Sequence, residues 1–199
     1  MVDQAGELRA RQLTVIAIGG SAGALEVLVD LLGALPRTVP AADVVVVDLP
    51  ADSDGSFAEL LRLKCLLDVA EAEDKLEPAA GGVYVAPADY HLLFERHGAM
   101  ALSADPPVHY SRPAIDVLFE SAAQAFGPRL LGILLSGASA DGAAGLASIR
   151  NHGGLTWVQS PDSARVPLMP REALALAPHS TLTVEEMTRN LVEWGYAGA

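Results

Sequence analysis

Cysteine is nearly missing from this 199-residue chain: Cys65 stands alone, which excludes an intramolecular disulfide and a cysteine-built metal site. Its setting, LRLKCLL, reads as that of a small buried hydrophobe. Positive charge is scarce as well, with 13 Lys and Arg against 25 Asp and Glu and a formal net charge of -12. The basic footprint that phosphate backbones require is lacking, which argues against nucleic acid as a partner. The opening residues, MVDQAGELRARQ, mix both charge signs and contain no signal-peptide core. Glu26 and Asp30 interrupt the longest apolar stretch, near residues 13–35, so nothing reads as a membrane span. Internal repeats, low-complexity tracts and linkers are also missing. A soluble cytoplasmic protein is the expectation.

What is present is a core. Hydrophobic residues make up 51% of the chain, and the mean hydropathy is +0.30; the length suits one domain. Residues 1–12 read as a polar tail and 13–199 as the domain. LTVIAI (13–18) and ADVVVVDLP (42–50) are continuous apolar runs, as expected of strands covered on both faces. Between them Ser21 to Leu35 predicts a helix, stopped by Pro36. SFAELLRLK predicts a short amphipathic helix. From 66 to 103 short strand candidates follow one another, with His97-Gly98 as a tight turn, so an antiparallel hairpin excursion is expected. A helix over 115–126, a strand over 130–137, a helix from Asp141, a strand over 155–160 and two late helices restore the α/β rhythm. The predicted fold is α/β: a doubly wound, mainly parallel sheet with helices on both faces.

Two strand ends carry chemistry-bearing residues. Gly19-Gly20-Ser21-Ala22-Gly23 fits G-x-S-x-G between strand and helix, where a sharp elbow presents a serine hydroxyl and new helix N–H groups can serve an oxyanion. The same small residues suit an anion- or nucleotide-binding loop, or a bare turn, and the pattern alone leaves all three open. The dinucleotide spacing G-x-G-x-x-G is not met. The second strand end reads SGASADG, where Asp141 is a natural N-cap for the helix that follows. Ser21, Asp48 and Asp141 each follow an apolar strand, so they can converge beyond the carboxyl edge of the sheet.

Taken in order, GGSAGA, SFAELL, VYVAPADYHLLFE, PPVHYSRPAIDVLFESAA, LLSGASADGAAGL and MPREA resemble the catalytic domain of the chemotaxis protein-glutamate methylesterases (CheB) over residues 13 to 195. The resemblance implies hydrolysis of glutamyl methyl esters on the cytoplasmic helices of chemoreceptors, with glutamine deamidation in some members. It implies Ser21 as nucleophile, Asp141 as triad aspartate, and the Ala22 and Ala138 N–H groups as oxyanion hole. The family's receiver domain has no counterpart in these residues, so phosphorylation control within the chain is not expected.

The family histidine is missing. Its place, counted back from SFAELL, is held by Asp48 in VVVDLPADSDGSF. Imidazole takes the serine proton and returns it to the leaving group because it titrates near neutrality. An aspartate, with a reference pKa of about 3.9, is a far weaker base. Loss of the base in serine hydrolases removes on the order of 10⁴- to 10⁶-fold of rate. An impaired methylesterase is therefore expected; the alternative is a pseudoenzyme that binds receptors or signalling partners without turnover. A nucleotide-binding module is a third and weaker reading. His109, in PPVHYSRP, is the most interesting candidate to substitute and a candidate for binding substrate, with a surface histidine as the plainer reading; the family often has a histidine at the position of Ser111. His91 reads as structural; His97, His152 and His179 belong to a turn, a helix end and a late loop. Arg112 and Arg171 are candidates for pairing with acidic groups near the crevice, a receptor glutamate included. Asp48, Asp52 and Asp54 do not follow a cation-loop spacing, and neither metal nor cofactor is expected.

Overall fold

The computed structural model describes residues 3–48, 56–177 and 179–197; Asp52 and Asp54 lie outside them. Seven parallel strands form the main sheet: β1 (Val15–Gly20), β2 (Ala42–Val47), β3 (Asp68–Glu71), β4 (Gly82–Val85), β7 (Leu130–Leu134), β8 (Leu155–Gln159) and β9 (Ser180–Leu182). Their order is β3-β4-β2-β1-β7-β8-β9. The chain winds outward from β1 in one direction, then returns to lay β7 against its other edge. β1 and β2 are buried at every position, because helices cover both faces.

One face carries α1 (Gln4–Arg11), α2 (Ala24–Gly33), α3 (Ser56–Lys64) and α7 (Val184–Ala197). Leu28, Leu31, Leu61, Leu191 and Trp194 pack there on Ile16, Ile18 and Val45. The other face carries α4 (Ile115–Phe126), α5 (Ala143–Asn151), α6 (Leu168–Leu176) and the hairpin of β5 (His91–Phe94) and β6 (Met100–Ser103).

Three expectations need correction. Residues 1–12 are not a polar tail: Asp3 caps α1 by accepting from the Gly6 N–H at 2.8 Å, and Leu8 is wholly buried against the core. The Trp157 indole also donates to the Gln4 side chain at 2.8 Å. A single buried leucine in a charged octapeptide gives too little periodicity to reveal such a helix. Second, only β5 and β6 are antiparallel, in a separate two-stranded sheet; β3 and β4 join the parallel sheet. Third, α2 starts at Ala24 rather than Ser21, because Gly23 adopts φ 81° and residues 21–23 form a turn.

Candidate functional site

The elbow after β1 lies where the strand order reverses, the position at which open α/β sheets bind ligands. Two glycines before the serine admit neighbours that a side chain would block. A Cβ on Gly19 would stand 2.2 Å from Ile115 Cγ2, so the first turn of α4 rests directly on the strand end. Ser21 is then fixed from both flanks. Its N–H donates to the Ser136 carbonyl beyond β7 at 3.0 Å, and its carbonyl accepts from Ala24 N–H at 3.0 Å. The Ser21 hydroxyl, half-buried, donates to the backbone carbonyl of Asp48 at 3.3 Å. Among the described residues no acceptor is bonded to the N–H of Ala22 or of Ala138.

Ser136, wholly buried, ties the elbow to the loop before α6. Its hydroxyl donates to the Ala22 carbonyl at 2.7 Å and accepts from Val166 N–H at 2.9 Å. Gln159 accepts from the Ser136 N–H at 2.8 Å. That loop brings the exposed Arg165 over Gly23, whose Cβ would lie 2.8 Å from Arg165 Cβ. Ser136, Gln159 and Arg165 were not singled out from the sequence, where nothing marks residues whose partners are remote in the chain.

Asp141 caps a helix, but not the one that follows it. Its two oxygens accept from the N–H groups of Ile115 (2.7 Å) and Asp116 (2.9 Å), the first donors of α4. α5 instead has Gly142 at its N-cap, with φ 87° and no side-chain cap. Burial raises the Asp141 carboxyl above its ordinary range, and the Asp116 charge pushes the same way; the two N–H bonds and His109 act against them.

The Asp48 carboxylate is held by the loop before α4. Oδ1 accepts from the Ser111 hydroxyl at 2.7 Å, and that hydroxyl also lies 2.8 Å from the Pro113 carbonyl. Ser111 closes a two-residue turn by exchanging backbone hydrogen bonds with Val108 at 3.1 and 2.9 Å. At its tip His109 and Tyr110 hold φ 50° and 64°. Non-glycine residues in this left-handed region cost roughly 1–2 kcal/mol each, and such turns favour Asn and Gly. Tyr110 is fully exposed. His109 Nε2 lies 3.1 Å from Asp116 Oδ2, with the imidazole 46% exposed and the carboxylate buried. A pair this open to solvent is worth about 1 kcal/mol or less, short of the strain in the turn.

His109, Asp116 and Asp141 each bring one ligand atom within 4.8 Å of the others. Both carboxylates are satisfied by protein donors, since Asp116 Oδ1 accepts from Gly145 N–H at 2.7 Å; the cluster is complete without a cation.

The remaining candidates make contacts of their own, none of them with Ser21 among the described residues. The Arg112 guanidinium donates to the carbonyls of Ala104 and Asp105 at 3.1 and 3.2 Å, holding the loop after β6. Arg171 is exposed on α6. The buried His91 accepts at Nδ1 from Ala114 N–H and donates from Nε2 to the Pro106 carbonyl, a structural clamp at the entry to α4.

This geometry has known counterparts. A family model described as CheB methylesterase matches residues 16–191. A protein of Leptospira interrogans is 43% identical over 159 residues, 80% of this chain and 82% of its own length. The protein-glutamate methylesterase/protein-glutamine glutaminase of Chromohalobacter salexigens is 39% identical over 183 residues, 90% of this chain but 51% of that protein. Among solved structures, the Thermotoga maritima CheB methylesterase catalytic domain superposes with a TM-score of 0.86 at 28% identity, covering 91% of this chain and 98% of that one. With the family model covering most of the chain and relatives of this identity and coverage, the chain belongs to the CheB methylesterase family.

Proposed function

We propose that this domain hydrolyses γ-glutamyl methyl esters on the cytoplasmic helices of chemoreceptors, in the cytoplasm, by a serine mechanism. Ser21 attacks the ester carbonyl. The Ala22 and Ala138 N–H groups receive the oxyanion, and Asp141 supplies the fixed negative charge that the proton carrier needs. The supporting observation is the Ser21 elbow, held at the reversal of strand order, with the N–H groups of Ala22 and Ala138 unbonded among the described residues. Arg112 and Arg171 are kept as substrate contacts only through exposed parts of their side chains. Position 48 offers no imidazole, so turnover by the family's own route is impaired. Methanol release from a methylated receptor fragment, compared with a Ser21→Ala control, tests the reading: equal rates reject it.

One observation favours a second reading, in which the domain binds receptor helices without turning them over. The Ser21 hydroxyl donates to a carbonyl, and the Asp48 carboxylate is engaged by Ser111. An inert parent beside an active Asp48→His variant supports this reading; a parent as fast as that variant ends it.

A further inference from the structure

We propose that His109, backed by Asp116, is the proton carrier for Ser21, taking over in space the task of the imidazole missing from position 48. The inference rests on the serine-hydrolase reading and names the group that reading lacks.

The imidazole stands in the right electrostatic setting. Asp116 Oδ2 faces Nε2 at 3.1 Å, and Asp116 is itself anchored by the Gly145 N–H. A carboxylate there accepts a hydrogen bond, so Nε2 carries the proton and Nδ1 is left with a free lone pair. That is the tautomer logic of a triad, with Asp116 as the direct partner and Asp141 within the same cluster. The titratable groups facing the ring are Asp116 from α4 and Asp141 from the loop after β7; Asp48 touches the same turn through Ser111.

The turn that carries His109 is tied to the serine through Asp48 and Ser111. Ser21 hydroxyl to Asp48 carbonyl, and Asp48 carboxylate to Ser111, are consecutive contacts, and Ser111 closes the turn that carries His109. Proton transfer then needs rotation of the Ser21 side chain off the Asp48 carbonyl, or one intervening water, to bring the hydroxyl to Nδ1. Strain supplies an independent argument. Two successive non-glycine residues occupy the left-handed region at the tip, and the half-exposed contact between His109 and Asp116 does not offset that cost. Strain of this kind concentrates at functional sites.

The chemistry balances. Ser21 Oγ bonds to the ester carbon as its proton passes to Nδ1. The C–OCH3 bond then breaks, and Nδ1 returns that proton to the departing methoxide, giving methanol. Water attacks the acyl-serine, its proton passing through Nδ1 to Ser21 Oγ, and glutamate is released.

The test compares wild type, Ser21→Ala, His109→Asn, Asp48→His and the double variant His109→Asn/Asp48→His on a peptide bearing a glutamate γ-methyl ester. Asparagine suits a left-handed turn, so His109→Asn should keep its melting temperature while losing the base. His109→Asn is expected to lower kcat/KM on the order of 10²- to 10⁴-fold. It should also abolish the rise of kcat/KM with pH that marks an imidazole losing its proton, and the double variant should recover activity. A His109→Asn protein as fast as a Ser21-dependent wild type overturns the proposal and leaves the hydrolase reading intact. A wild type that is inert beside an active Asp48→His variant also overturns it. If wild type and Asp48→His both match Ser21→Ala, the hydrolase reading itself fails and the proposal falls with it.

Discussion

Replacing Asp43 with asparagine should remove a pH-dependent penalty from the interior. Asp43 lies in β2, paired with Ile16 and Val83 on neighbouring strands. It is 0% exposed, and neither carboxylate oxygen has a hydrogen-bond partner among the described residues. Desolvation pushes its pKa from 3.8 up to about 8. Between those values the folded chain holds one proton more than the unfolded chain, so stability falls as pH rises and levels off above about 8. The slope is about 1.4 kcal/mol per pH unit, giving wild type a loss of about 3 kcal/mol between pH 5 and pH 7 that Asp43→Asn does not share. Comparing the two proteins cancels the titration of every other group. For a domain of this size that difference is a shift of roughly 6–12 °C in relative Tm. Thermal unfolding of both proteins at pH 5, 6 and 7 reads it directly. A Tm difference that stays constant over this range would show that Asp43 is not buried as a neutral acid, and the reasoning would fail.

Two further outcomes follow from the way α4 is seated. Asp141→Ala strands the N–H groups of Ile115 and Asp116 and should cost about 2–6 kcal/mol in urea unfolding, at about 1–3 kcal/mol per buried donor. A cost under about 0.5 kcal/mol would mean that the helix end finds other acceptors. Gly19→Ala places a Cβ 2.2 Å from Ile115 Cγ2 and 3.2 Å from Phe119 Cζ. Overpacking of this kind should lower stability by about 1–3 kcal/mol, and the loss should be strongly non-additive with Ile115→Ala in a double-mutant cycle.

The fold was largely legible because its signals are local. Continuous apolar runs with glycine or aspartate at their ends can only be strands covered on both faces, as β1, β2 and β7 are. Ile115–Phe126 declares its helix by periodicity and forms it over the same residues. Less was legible where burial depends on partners elsewhere. α1 follows from Leu8 and Gln4 meeting the core and Trp157, more than a hundred residues away. Asp43 looks like an ordinary polar residue at the start of a strand, and only the helices covering it make it a buried acid.

By itself the sequence determined the family, the elbow at Ser21 and the placing of Asp48 just beyond the second apolar run, since each is a matter of residue type and spacing along the chain. The tertiary structure alone decided where those groups point: the Asp48 carboxylate toward Ser111, Asp141 onto the first donors of α4, and His109 onto Asp116. The reason is physical. Hydrogen bonds and charge pairs form between side chains that the winding of the sheet brings together, and their partners lie at separations that no local pattern encodes.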